Sequence, residues 1–228
     1  MSSRLAQRRF IVRRFGAVGV LAAVLGFAYL LWFTSVFGVR TVTVAGLQGL
    51  GEDEVRTAAA IDDGTPLVRL DTDEVAGRVA ALRRVAAVDV SRSWPNTVEV
   101  AVTERVPVAA VVAADGAHLV DATGLDFAVV ATPPTGLPEL RVHQVDPANP
   151  ETGTAMAVLA VLPEPVRAQL TVLRANSPSD VELTLADGRT VEWGGAADSA
   201  RKAAVITALL TRPGTTYDVS TPDFPTVS

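Results

Sequence analysis

Residues 15–39 run for 25 positions without a charged side chain, and such a run leaves a chain few choices. A bilayer core takes about 20 apolar residues in a helix rising roughly 1.5 Å per residue. A helix also satisfies its own backbone groups where no water reaches them. The run therefore predicts a single transmembrane helix over 15–38, with Tyr29 and Trp32 near its downstream interface. Ahead of it, residues 1–14 carry Arg4, Arg8, Arg9, Arg13 and Arg14 and no acid, which keeps that basic tail in the cytoplasm by the positive-inside rule. The whole chain has net charge −5; five positive charges precede the run, so residues 40–228 carry −10. The alternative is a cleaved signal peptide, but the apolar run exceeds an ordinary h-region and no A-x-A site follows Phe33.

The absence of cysteine excludes disulfides and thiolate chemistry, so the exterior must be held by packing, and 49% hydrophobic residues make that feasible. One lysine against nineteen arginines points to a GC-rich, bacterial genome. The acidic exterior argues against a nucleic-acid partner.

Along the exterior, RTVTVA at 40–45 alternates as a strand does. EDEVRTAAA at 52–60 reads as a helix with three acids in its first turn, where the helix dipole favours negative charge. An extended link covers 65–70. A second helix begins at Asp71 or Thr72 as cap, carries Val75, Val79 and Leu82 on one face, and ends on Arg83 and Arg84. Strands over 86–92 and 97–104 flank a turn at Trp94-Pro95-Asn96. The unit is β-α-α-β-β.

Beyond Pro107 the pattern becomes mostly β. Strands are expected over 108–113, 117–120 and 125–130, with a hairpin turn at Asp115-Gly116. A proline-rich loop is expected over 131–153, then a helix over 154–162 stopped by Pro163. Strands over 168–176, 181–185 and 189–193 follow. A helix over 198–211 is capped by Asp198 or Ser199, with Val205, Ile206, Leu209 and Leu210 as its apolar stripe. The last strand, 215–220, has no strand after it.

Catalytic patterns do not emerge. His118 and His143 fall in a hairpin and a loop as lone histidines, without the spacing that sets two imidazoles on one helix face. The acids at 62–63 and at Asp71, Asp73 and Glu74 sit at helix ends and lack a twelve-residue calcium-loop pattern. Trp94 and Trp193 read as core or corner residues. No nucleophile elbow or phosphate-binding glycine loop occurs. The expectation is a protein that is not an enzyme, with no metal and no cofactor. What remains is binding, and the 215–220 edge is a template for an added strand.

Four motifs carry a family resemblance: VRTVTV at 39–44 directly after the apolar run, PLVRLD at 66–71, VSRSWPNT at 90–97 and VTERVPVA at 102–109. In order and spacing they resemble the FtsQ/DivIB cell-division family, and the β-α-α-β-β unit looks like that family's POTRA domain. The resemblance implies an α+β exterior: a POTRA domain over 39–106, an FtsQ-type β domain over 107–221 with flanking helices, and a tail over 222–228. It implies a single-pass type II plasma-membrane protein at the division septum. Such a scaffold binds the coiled-coil proteins FtsB and FtsL outside the membrane and influences septal peptidoglycan synthesis indirectly. By resemblance the partner contact maps onto Thr216, Tyr217, Asp218, Val219, Ser220, Thr221 and Phe224. Recruitment through other divisome proteins maps onto Val90, Arg92 and Glu104, whose plainer roles are packing and surface charge. Two other classes stay open: an envelope enzyme or substrate-binding module acting on the cell wall, and a POTRA-type chaperone for secreted chains.

Overall fold

A computed structural model describes residues 19–26 and 37–228. Residues 19–26 are helical (α1). Among the described residues no helix is long and apolar enough to cross a membrane. The basic tail and most of the expected span lie outside the described residues. The rest divides into two compact units, meeting in sequence at Glu104 and Arg105.

The first unit contains β1 (Thr41–Ala45), α2 (Glu52–Ala59), α3 (Thr72–Ala80), β2 (Val85–Ser93) and β3 (Thr97–Glu104). Its sheet runs β1-β3-β2, with β1 parallel to β3 and β2 antiparallel to it. Strand side chains alternate between faces, so one register fixes the core. Val42 and Val44 lie beside Val98 and Val100, while Val88 and Val90 lie beside Val102 and Val100. That valine face is covered by Val55 and Ala59 of α2 and by Val75 and Val79 of α3. The cap of α3 is Asp71, whose carboxylate accepts from the Asp73 and Glu74 amides at 3.0 and 3.1 Å. Two expectations are corrected. Arg84 does not close α3; its Nη1 donates to the Gly49 carbonyl at 2.9 Å. Residues 67–69 form a turn rather than an extended link, with Arg69 N–H donating to Pro66 O at 2.9 Å. The Trp94–Pro95 bond is cis, and Trp94, 53% exposed, is a corner residue whose ring stands edge-on to Phe37 at 6.0 Å.

The second unit is built on a nine-stranded sheet, β12-β11-β10-β9-β8-β7-β4-β5-β6. Its strands are β4 (Pro107–Ala113), β5 (Gly116–Asp121), β6 (Asp126–Val130), β7 (Glu139–Arg141), β8 (Leu170–Ser177), β9 (Asp180–Leu185), β10 (Thr190–Glu192), β11 (Thr216–Asp218) and β12 (Thr226–Val227). Helices α4 (Pro150–Val161), α5 (Glu164–Arg167) and α6 (Ser199–Leu209) complete it. Pairing is mostly antiparallel, but β4–β7, β7–β8 and β10–β11 are parallel. The register aligns Leu140, Leu173, Leu183, Val191 and Tyr217 in one row across five strands. All five are buried, and α4 and α6 supply Ala155, Val158, Leu159 and Ile206 to the same core.

Three elements differ from expectation here. The proline-rich loop contains β7, a three-residue strand held between β4 and β8. Helix α4 starts at Pro150, because Asn149 Oδ1 accepts from the Glu151 amide at 2.8 Å and proline at the first turn sacrifices no hydrogen bond. Asp198 holds the N-cap position of α6, but in a left-handed conformation and without a side-chain capping bond, while Ser199 Oγ donates to Ala196 O at 2.8 Å.

Candidate functional site

The expected partner-binding segment lies at one end of the second sheet, but its edge is not free. β12 pairs antiparallel with β11, placing Val227 beside Tyr217 and Thr226 beside Asp218. The outermost strand is therefore a two-residue one, a short edge of the kind that resists indiscriminate pairing. Thr226 and Val227 escape a sequence reading because two β-branched residues behind Pro225 are too short a strand pattern.

The seven expected residues separate by burial. Tyr217 and Val219 are fully buried and cannot offer side chains to a partner in this conformation. Alternation puts both on one face, and the row ending at Tyr217 makes that face the core. The Tyr217 hydroxyl lies 2.7 and 3.1 Å from the Arg212 and Gly214 carbonyl oxygens. Its ring lies under the Arg189 guanidinium at 5.7 Å, and Arg189 Nη1 also donates to Leu210 O at 3.0 Å. The Val219 amide donates to Glu192 O at 2.9 Å. Thr216 and Asp218 are half-buried, and Asp218 Oδ1 accepts from the Ser220 amide at 2.8 Å. Ser220, Thr221 and Phe224 are exposed, Phe224 at 81%. The turn bearing Phe224 is held twice, by its amide donating to Thr221 O at 3.0 Å and by an ion pair between Asp223 and Arg201 of α6. An aromatic ring presented from a braced turn is the kind of group that anchors a protein interface.

Below this rim lies a polar support that sequence reasoning missed. Lys202, the chain's only lysine, is buried on α6, and its Nζ donates to the Trp193 and Gly195 carbonyls at 2.9 Å each. Burial lowers its pKa, against the attraction of Asp198 and Asp218. A lysine inside a helical stripe carries no local signal of such a role.

In the first unit the three other expected residues have structural partners. Val90 packs against the valine core. Arg92 Nη2 donates to Leu70 O at 2.6 Å. Glu104 Oε1 accepts from the Gln48, Gly49 and Leu50 amides at 2.5, 2.9 and 3.0 Å. Desolvation pushes the Glu104 carboxyl upward, but the three amides and Arg84 reverse this and hold it below its ordinary value of 4.5. A depressed carboxyl pKa stabilises the fold above the unfolded value, and the contribution disappears as pH falls through the folded value. Glu104→Gln is expected to cost about 1–2 kcal/mol at pH 7, as charge-assisted bonds become neutral ones. Urea titrations at pH 7 and pH 3 check this, with the wild-type advantage shrinking at the lower pH.

The histidines are not lone. His118 lies between Asp126 and Asp115 at 2.7 and 3.1 Å, and His143 Nδ1 lies 3.0 Å from Glu151. Among the described residues no group of three potential ligands could hold a metal ion. A groove of about 390 Å³ beside α4 is lined by Val108, Leu137, Met156 and Leu159, with Arg167 at its rim. Arg167 Nη2 donates to the Leu159, Ala160 and Leu162 carbonyls at 3.0 to 3.3 Å, closing the end of α4.

Comparison with known proteins bears on both units. Residues 37–105 match a family model described as a POTRA domain of FtsQ type, and residues 110–220 match one described as the C-terminal domain of cell division protein FtsQ/DivIB. The cell division protein FtsQ of Mycolicibacterium smegmatis is 47% identical over 210 residues, which are 92% of this chain and 62% of that protein. The FtsQ of Mycobacterium tuberculosis is 42% identical over 212 residues, covering 92% of this chain and 67% of that protein. That of Streptomyces bingchenggensis is 42% identical over 237 residues, covering 99% and 88%. This chain thus spans less than two thirds of the M. smegmatis protein's length.

Proposed function

Because this chain belongs to the FtsQ/DivIB family of cell-division proteins, we propose that it is a single-pass, non-catalytic divisome scaffold. Its exterior binds the FtsB–FtsL coiled coil at the septum and links early to late division proteins. The uncharged run at 15–38 behind five arginines supports the anchor and its orientation, and the second unit's C-terminal rim supports the contact. The observation that carries the contact is Phe224, exposed on a braced turn directly before the sheet's terminal strand.

A two-residue edge contributes about two backbone hydrogen bonds at roughly 1 kcal/mol net each, well short of stable association. Phe224 supplies the apolar anchor such an edge needs. Two partners held in one membrane also gain effective concentration, so modest intrinsic affinity suffices. The first unit offers a second contact through β2, an open edge of its sheet that carries Val90 and Arg92. Glu104 supports that unit from β3.

The test is calorimetric titration of residues 37–228 with the FtsB–FtsL coiled coil. That piece holds the three apolar clusters found among the described residues. Saturable binding is expected, and Phe224→Ala should weaken it by about 2 kcal/mol, roughly thirtyfold. A titration without heat for the unaltered piece would remove the scaffold reading. Peptidoglycan hydrolysis, or binding to many unrelated extended peptides, would then favour the wall-acting or chaperone class.

A further inference from the structure

We infer that His118 is a proton-controlled clamp that bridges the outer strand β6 and the β4–β5 turn across β5, and that this bridge is lost as the pH rises. β6 is the end strand of the nine-stranded sheet, and β5 is its one neighbour. Its pairing is irregular: a register shift between Leu119 and Val120 leaves Phe127 as an extra residue between Asp126 and Ala128. Val129 on this strand is 51% exposed. Such an edge needs a device that keeps it closed, and inward-turned charge is one that natural sheets use.

His118 supplies the partner for that charge. It stands on β5 with Val111 of β4 on one side and Val129 of β6 on the other. Nδ1 lies 2.7 Å from Asp126 Oδ2 on β6, and Nε2 lies 3.1 Å from Asp115 Oδ1 in the turn. A neutral imidazole has one N–H, so it donates to one carboxylate and turns a lone pair towards the other. The imidazolium donates to both. The geometry therefore selects the doubly protonated ring, which bridges two carboxylates 11 positions apart.

The charged groups acting on the ring are those two carboxylates; its cross-strand neighbours are valines. Asp126 first, then Asp115, raise the imidazole pKa above 6.5, and desolvation opposes them. A raised histidine pKa contributes stability that is complete below the unfolded value and is lost as pH rises through the folded one. Deprotonation leaves one N–H between two carboxylates, so the bridge across β5 is broken and the edge loosens.

The chain has two histidines, which makes the test direct. The full-length protein, reconstituted in nanodiscs and labelled with carbon-13 at histidine Cε1, carries His143→Gln so that one ring signal remains. The expected midpoint lies above 6.5, and Asp126→Asn moves it down. Hydrogen exchange, expressed as protection factors to remove its intrinsic pH dependence, should show protection of residues 126–130 falling across the same midpoint. His118→Gln should show the low level at every pH. A midpoint at or below 6.5 overturns the clamp. So does a raised midpoint with β6 protection that stays flat through it.

Discussion

Trp193→Ala is expected to cost the second unit about 3–5 kcal/mol, from the transfer and cavity terms of a large buried aromatic. The indole is fully buried in the main core of that unit. It is also wired into its surroundings. Nε1 donates to Ser199 Oγ at 3.1 Å, which fixes the first residue of α6 where no conventional cap exists. Its amide donates to Val181 O at 2.8 Å. Its carbonyl receives the buried Lys202 ammonium at 2.9 Å. Alanine keeps the backbone bonds but leaves a cavity under α6 and a loosened helix start. Against a total stability of about 5–15 kcal/mol, that leaves the unit marginal or unfolded at physiological temperature. Urea unfolding followed by circular dichroism measures the loss. Trp193→Phe should retain part of the stability, because it refills most of the volume but cannot donate to Ser199.

Gly46→Ala is expected to destabilise the first unit by about 2–4 kcal/mol, combining a strained left-handed backbone with a steric clash. Gly46 follows β1 directly and has φ of +85°. A Cβ there would stand 2.0 Å from the Val102 carbonyl oxygen and 3.1 Å from its carbon. Val102 lies in β3, the central strand, so its backbone cannot yield without disturbing the pairing on both sides. Gly64 provides the control, since its φ of +81° is similar but nothing stands within 4 Å of an added Cβ. Gly64→Ala should cost only about 1 kcal/mol, the conformational part alone. Equal losses at the two positions would remove the clash with Val102 from the account.

The parts of the fold legible in sequence were those with a local period or a local cap. The valines of β3 alternate over eight residues, and the acids around Asp71 announce α3 before its Val75–Val79 face begins. β7 was not legible, because three residues between prolines show no period and the strand exists through its parallel neighbours β4 and β8. The start of α4 was written in Asn149-Pro150, a cap followed by a first-turn proline, but it was masked by the surrounding proline density.

The candidate site followed the same division. Alternation alone tells that Tyr217 and Val219 share a face, not which face; the cross-strand row through Leu140 and Leu183 decides it, and row membership is non-local. Glu104 reaches amides 54 to 56 positions away, so its role depends on β1 and β3 lying side by side. His118 meets Asp126 only after β5 and β6 have paired with their irregular register. Phe224 came from the family resemblance rather than from a local pattern, and the structure adds the brace from Arg201 through Asp223.

The most direct measurement of the central claim is photo-crosslinking in dividing cells. Full-length chains carry a photoreactive phenylalanine analogue in place of Phe224 or, as a control on the other unit's exposed aromatic, in place of Trp94. An adduct containing FtsB or FtsL is expected from position 224, and little or none from position 94. Adducts with that pair from position 94 alone, or from neither position while the protein supports division, would contradict the assignment of the C-terminal rim as the partner contact.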